Sequence, residues 1–142
     1  MEKFTSPKQK IGKIGEDLAE KYLISKGFDI VCKNYTKKWG EIDVIAKKGS
    51  MIHFIEVKSV TVLYLPEKNI GIEENKDFMD KSIRPEENLH PKKIKRIFRT
   101  IQTYIMSKNM TEKDFWQFDL ALVYIDMAKR QGRVKLMEDI IL

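Results

Sequence analysis

Two apolar β-type segments, residues 41–47 and 51–59, are separated only by Lys48-Gly49-Ser50, and this spacing constrains the fold more than any other feature. A connection this short joins neighbouring antiparallel strands, so the stretch predicts a β-hairpin. The strands are rich in Ile and Val, yet they carry two carboxylates, Asp43 and Glu56, and a lysine, Lys58. Unpaired charge among apolar side chains is costly, so these residues need a compensating partner.

The register of the hairpin decides whether the three charges meet. A turn centred on residues 48–49 pairs Asp43 with Phe54 and leaves it diagonal to Glu56. In that register Asp43, Glu56 and Lys58 share one face, with the carboxylates on Cα atoms roughly 7–8 Å apart. A slip of one residue would separate them.

A hard divalent cation is one partner for these charges. Mg²⁺ prefers oxygen ligands and is usually held by one or two carboxylates plus substrate phosphate oxygens. Lys58 would then lie beside an attacking water or a scissile phosphate and offset developing negative charge. Together these parts predict a phosphodiester hydrolase. The simpler alternative is an ion pair between Lys58 and a neighbouring acid on an exposed strand face, with no metal.

The rest of the chain predicts a mixed α/β domain. Ser6-Pro7 begins an amphipathic helix that Gly27 ends, and Glu16 is the acid of this helix that leans towards its apolar face. A second helix is predicted from His90-Pro91 to about Lys108. Further strands are predicted at 28–37, at 116–126 and in the C-terminal segment from 133. The predicted order is αβββαββ, with a mixed central sheet of about five strands flanked by helices in a single domain over residues 1–142.

Residues 61–89 predict a long acidic loop or lid, because regularly spaced apolar residues are lost there. The stretch from Thr61 to His90 holds seven acids and four bases, whereas the whole chain has a net charge of +6. The remainder is therefore strongly basic, which favours a polyanionic partner. Part of that charge forms a stripe along one flank of the second helix, which we call the basic stripe and interpret either as a phosphate-contacting surface or as an ordinary solvated helix face: Lys92, Lys95, Arg96 and Arg99.

Other classes of function find no support in the sequence. No run approaches the roughly 20 apolar residues of a membrane span, and the N-terminus lacks the apolar core of a signal peptide, so a cytoplasmic protein with no membrane partner is expected. The single cysteine, Cys32, has no partner at metal-ligand spacing. His53 alternates away from the Asp43 face, and Asp119 is expected to pair with a base such as Arg99.

Several short motifs resemble one known family. They are Gly15-Glu16 followed by DLAEKYL, the pair Asn34-Tyr35, GEID at 40–43, FIEVK at 54–58, PKK at 91–93 and FDLALV at 118–123. Their order is similar to that of the YraN family of small bacterial proteins. That family resembles the PD-(D/E)xK nucleases, and among them the archaeal Holliday-junction resolvases.

The resemblance implies a restriction-endonuclease-like core and a function for each hairpin charge. Asp43 and Glu56 correspond to metal-binding acids, Lys58 to the catalytic lysine and Glu16 to the helix-borne acid that completes the site. The backbone carbonyl of Val57 corresponds to a further metal ligand. The implied function is a DNA endonuclease that uses Mg²⁺ or Mn²⁺, with structured or branched DNA as substrate and a homodimer as one possible assembly.

Two other functions stay open at this stage. One is a nucleic-acid-binding module of the same fold whose catalysis is weak or lost. The other is an interaction domain that recruits a protein partner through residues 61–89.

Overall fold

The computed structural model describes residues 6–63 and 90–140. In these residues the element order is the predicted αβββαββ. The elements are α1 (Pro7–Ser25), β1 (Asp29–Lys37), β2 (Gly40–Lys48), β3 (Met51–Thr61), α2 (Pro91–Ser107), β4 (Phe115–Asp126) and β5 (Gln131–Met137). Of the predicted loop at 61–89, residues 64–89 lie outside the described residues. Thr61 itself still belongs to β3 and pairs with Ile125.

The five strands form one mixed sheet in the order β1-β2-β3-β4-β5. β3 and β4 run parallel, whereas the other neighbouring pairs are antiparallel. A parallel pair needs a crossover connection, and α2 lies within the connection between β3 and β4. The predicted mixed sheet of about five strands flanked by helices is confirmed.

Both helices begin where the sequence predicts. The Ser6 hydroxyl accepts a hydrogen bond from the backbone N–H of Gln9, and the Gln9 side chain accepts one from the Ser6 N–H, which is a complete capping box. His90 caps α2 by accepting from the Lys92 N–H. Gly27, at φ +89°, follows the end of α1 in a conformation that favours glycine.

The two helices cover opposite faces of the sheet. Buried apolar residues of α1 pack on one set of strand side chains, and those of α2 pack on the alternate set. The α1 layer contains Ala19, Leu23, Val44, Ala46, Ile55, Ala121 and Val123. The α2 layer contains Ile42, Ile45, Phe54, Ile97, Ile101, Tyr104 and Phe118.

The hairpin register differs by two residues from the prediction that Asp43 opposes Phe54. Lys48 pairs with Met51 across a two-residue turn, so Phe54 lies opposite Ile45. Gly49 adopts φ +61°, and its freedom to do so permits the turn to be this tight. The paired residues run from Lys48–Met51 to Val44–Ile55, and just beyond them the Asp43 side chain accepts a hydrogen bond from the Val57 N–H. A shift by an even number of residues does not by itself change which face a side chain occupies. Alternation is nevertheless interrupted in β2, because Ile42 packs in the α2 layer with Ile45, whereas Val44 and Ala46 pack in the α1 layer.

A close approach of α1 to β3 sets the position of Glu16. Gly15 is buried, and a Cβ atom added to it would overlap the Ser59 side chain. The helix can therefore approach the strand only because residue 15 lacks a side chain. Glu16, the next residue, is consequently held beside the second half of β3.

Candidate functional site

An open cleft of about 810 Å³ lies where the beginning of β2 and the end of β3 meet α1. The five residues that the sequence assigns to the metal and catalytic site all line it: Glu16, Asp43, Glu56, Val57 and Lys58. Lys93 of α2 and Lys8 of α1 also line the cleft. Three separate elements thus contribute acids to one surface, and lysines lie around them.

Asp43 is the most strongly perturbed acid of the cleft. Its Oδ2 accepts a hydrogen bond of 2.7 Å from the backbone N–H of Val57. Burial raises the pKa of Asp43 to about 7, with further contributions from the negative charges of Glu56, Glu16 and Glu41, and the Val57 hydrogen bond opposes the shift. The negative charge of Asp43 is therefore poorly compensated by the other groups of the protein.

Glu56 forms an ion pair with Lys93 of α2, whereas the sequence suggested a lysine of its own strand, Lys58. Its Oε1 lies 2.8 Å from the Nζ of Lys93, in the first turn of α2, and only 13% of the Glu56 side chain is exposed. Burial raises the pKa of Glu56, although the contact with Lys93 opposes this effect. Lys93 of α2 therefore forms an ion pair with Glu56, and the alternative of a metal-free ion pair made by Lys58 stays a prediction.

Asn34 of β1 lies between two further acids of the site. With its amide nitrogen directed at them, it donates to Glu16 Oε1 at 2.9 Å and to Glu41 Oε1 at 3.2 Å. Asn34 adopts φ +53°, a left-handed conformation that asparagine tolerates better than most residues. Burial raises the pKa of Glu16, and the charge of Glu41 adds to the effect.

Asn34, Glu41 and Lys93 contact the predicted acids, although the sequence patterns did not predict them for the site. Glu41 precedes Asp43 by two residues, so alternation already places it on the same face. Asn34 interrupts a run of β-forming residues, which is a signal of unusual backbone conformation. Lys93 had a weaker signal, because it lies beside the predicted basic stripe but outside it.

The oxygen donors of the cleft are of the type that a hard divalent cation prefers, but within residues 6–63 and 90–140 the acids whose ligand atoms lie within 4.8 Å of one another are those beside His53, namely Asp119 and Glu138. Glu16, Asp43 and Glu56 supply carboxylate oxygens from three elements, and burial or mutual repulsion raises the pKa of each. A divalent cation bound among them would relieve that repulsion, and Mg²⁺ and Mn²⁺ accept such ligands. Val57 lines the same cleft, and the use of its carbonyl as a ligand stays a prediction.

The basic stripe lies outside the cleft. All four of its residues are exposed on α2, and none of them lines the cleft: Lys92, Lys95, Arg96 and Arg99. The Arg99 guanidinium lies 4.2 Å from the centroid of the Trp39 ring, in a cation–π contact. Trp39 thereby anchors the turn between β1 and β2 against α2.

His53 and Asp119 form a separate buried pair. The Nδ1 of His53 lies 2.6 Å from Asp119 Oδ2, so Asp119 pairs with a basic residue as expected, but that residue is His53 and not Arg99. The other carboxylate oxygen accepts from Gln117 Nε2 and from the backbone N–H of Asp139. This network ties the segment after β5 to β3 and β4. Glu138 lies close to the pair, but none of these residues lines the cleft that holds Asp43 and Glu56.

The same motifs that build the cleft fall within a match to a known family. Residues 15–123, which include every predicted metal and catalytic residue, match the model of a family described as uncharacterised protein family UPF0102. The chain belongs to this family. The predicted likeness to YraN-type proteins is thereby confirmed.

Relatives in this family match along most of their length. A UPF0102 protein of Campylobacter lari is 37% identical over 126 residues, which cover 89% of this chain and 88% of that protein. A UPF0102 protein of Campylobacter fetus is 34% identical over the same share of each chain. A UPF0102 protein of Clostridium tetani is 30% identical over 92% of this chain and 93% of its own.

Within residues 6–63 and 90–140, neither helix has the length and apolar character that crossing a bilayer requires.

Proposed function

We propose that this UPF0102 protein is a metal-dependent DNA endonuclease with a PD-(D/E)xK-type core that hydrolyses phosphodiester bonds with Mg²⁺ or Mn²⁺. One observation carries the proposal: Glu16, Asp43 and Glu56 converge from three elements on a cleft that Lys58 also lines. An acid cluster whose pKa values are raised, in a cleft beside a lysine, is the arrangement expected of a catalytic site.

Each residue has a defined function in this mechanism. Glu16, Asp43 and Glu56 hold the cation, and the Val57 N–H orients the Asp43 carboxylate by donating to Oδ2. When bound, Mg²⁺ or Mn²⁺ supplies Lewis-acid polarisation of the phosphodiester and lowers the pKa of a nearby water. Lys58 is exposed at the cleft, where its ammonium group can orient that water or offset charge on the phosphate.

The choice of DNA as substrate rests on charge and on the family likeness. The net charge of +6 favours a polyanion, and the basic stripe offers four exposed cations on α2. A preference for branched DNA comes from the resemblance to Holliday-junction resolvases alone, which is an analogy at the level of the fold.

A cleavage assay tests the proposal directly. The protein is incubated with supercoiled, linear, single-stranded and four-way-junction DNA, in Mg²⁺ or Mn²⁺ and in EDTA. We expect metal-dependent cleavage of at least one substrate. Asp43→Asn and Lys58→Met should each lower the rate by about 100-fold or more, since each removes a group that acts in the transition state. Lys129→Met is the control, because Lys129 is an exposed lysine in the turn between β4 and β5.

Two outcomes would contradict the nuclease proposal. In the first, wild-type protein cuts none of these substrates with either metal. In the second, Asp43→Asn or Lys58→Met cuts as fast as Lys129→Met, which would indicate a contaminating nuclease. Metal-independent, salt-sensitive DNA binding without cleavage would instead support the binding-module alternative.

A further inference from the structure

A lysine from the second helix already occupies part of the acid cluster. Lys93 Nζ lies 2.8 Å from Glu56 Oε1, and its side chain is 42% exposed, so it reaches from solvent into the cleft. A flexible lysine stem can hold its ammonium group in more than one position. The short distance makes Glu56 the partner of Lys93, and the exposure of the lysine leaves it free to move away when another cation binds Glu56.

The placement of Lys93 on α2 is unfavourable for the helix itself. The first turn of α2 contains Pro91, Lys92 and Lys93 and has no acidic residue. The N-terminus of a helix carries partial positive charge, so cations there are disfavoured unless a nearby anion compensates them. For Lys93 that anion is Glu56, which belongs to β3. Glu56 therefore supplies the negative charge that the first turn of α2 lacks.

A metal ion and the Lys93 ammonium compete for the same carboxylate. Both are cations, and both are attracted by the negative charge of Glu56 and its neighbours. A divalent cation bound by Glu56 would repel an ammonium group that stayed within hydrogen-bonding distance of the same carboxylate. Lys93 also lies on the helix that carries the basic stripe, and it lines the cleft itself.

We propose that Lys93 is an internal counter-ion for Glu56 that the divalent cation displaces, and that the displaced ammonium group then contacts a phosphate of the substrate. The inference rests on the proposed function, because it assumes the same cation and the same polyanion. It assigns Lys93 a positioning function that couples metal binding to phosphate binding. The displacement itself is measurable without any cleavage.

Calorimetric titration with Mn²⁺ in the absence of DNA tests the displacement. Removing a competing charge should tighten metal binding, so Lys93→Met should lower the Mn²⁺ dissociation constant by about three- to tenfold relative to wild type. Lys93→Arg keeps the charge and should bind Mn²⁺ as wild type does. Lys92→Met is the matched control, since it removes the same charge from the same helix turn outside the cleft, and should change the constant less than twofold. Asp43→Asn should abolish binding, which locates the ion in this cleft.

The displacement would be refuted if Lys93→Met bound Mn²⁺ no more tightly than Lys92→Met, or if wild type and Lys93→Met both failed to bind it. The contact with phosphate has its own readout. Fluorescence anisotropy with labelled duplex DNA, with and without Ca²⁺, should show that Ca²⁺ increases DNA affinity more in wild type than in Lys93→Met. An equal increase of DNA affinity in wild type and Lys93→Met would refute the contact between Lys93 and the phosphate. Absence of cleavage would contradict only the nuclease proposal, since neither binding measurement depends on it.

Discussion

At the scale of single residues, the cleft is governed by carboxylates whose charged forms are disfavoured first by burial and then by mutual repulsion. Asp43 is the clearest case, because burial and the charges of Glu56, Glu16 and Glu41 raise its pKa to about 7. The ionised form of Asp43 is thus less favourable in the folded protein than in the unfolded chain. The metal-free protein gives up stability in order to keep these acids together, as functional sites often do.

This electrostatic cost predicts an unusual dependence of stability on pH. Between the ordinary pKa of 3.8 and about 7, the folded state binds the proton of Asp43 more tightly than the unfolded state does. The contribution of this group to the free energy of unfolding therefore falls as pH rises through that window, by at most about 4 kcal/mol. Without metal, Asp43→Asn should be more stable than wild type at pH 8, and the difference should shrink by pH 5.

Thermal unfolding in EDTA at pH 5 and pH 8 measures this difference. The Asn side chain keeps an oxygen that accepts from the Val57 N–H, so the comparison isolates the charge. Adding Mn²⁺ at pH 8 should raise the melting temperature of wild type and leave that of Asp43→Asn unchanged. A variant less stable than wild type at pH 8 in EDTA would show that repulsion in the cleft is not the dominant effect.

At the scale of elements, the site depends on how closely α1 approaches β3. Buried Gly15 permits that approach, because a Cβ atom there would overlap the Ser59 side chain. Gly12 lies one turn earlier in the same helix, and an added Cβ there meets nothing within 4 Å. Alanine at Gly15 therefore tests the close packing of α1 on β3, and alanine at Gly12 tests helix propensity alone.

Opposite effects are expected from alanine at these two glycines. Gly15→Ala should lower the free energy of unfolding by about 1–3 kcal/mol through overpacking, and should weaken Mn²⁺ binding because Glu16 moves with the helix. Gly12→Ala should raise the free energy of unfolding by up to about 1 kcal/mol, since alanine is the better helix former. Urea unfolding measures both. Equal effects of the two substitutions would refute the close-approach argument.

At the scale of the whole molecule, positive charge on α2 extends away from the acid cluster. The four cations of the basic stripe are exposed, but Arg99 is also engaged with the Trp39 ring. A polyanion that reaches the cleft would contact Lys95 and Arg96 of the stripe. Arg99 also belongs to the stripe, but it packs against Trp39 in the β1–β2 turn as well. Substitutions at Lys95 and Arg96 therefore test the charge of α2, and a substitution at Arg99 also tests its packing.

Salt dependence of DNA binding tests the stripe. Replacing Lys95 and Arg96 together with Gln should weaken binding and reduce the slope of log affinity against log salt concentration by about 2, because two phosphate contacts are lost. Arg99→Gln should also lower the melting temperature, since it removes the contact with Trp39. An unchanged slope in the double variant would show that the stripe is only a solvated helix face.

Much of this arrangement was predictable from the sequence, because it depends on local rules. The capping residues Ser6 and His90 and the short turn at Gly49 fixed the element order. Alternation held for β3, where Phe54 and Ile55 pack on opposite faces, but not throughout β2, where Ile42 packs with Ile45. Side chains in a strand repeat with a period of two, so the error of two residues in register did not by itself separate the predicted site residues. The predicted metal and catalytic residues accordingly line one cleft.

The remaining features depended on packing between elements that are distant in the sequence. The pairing of Lys93 with Glu56 follows from how α2 is placed on the sheet, and the position of Asn34 between Glu16 and Glu41 from how α1 is placed on the other face. Local sequence sets which way a side chain points. Only the tertiary structure sets which charges meet, because that depends on the docking of whole elements. The sequence by itself thus determined the elements and the acids, and the fold decided the partners of those acids.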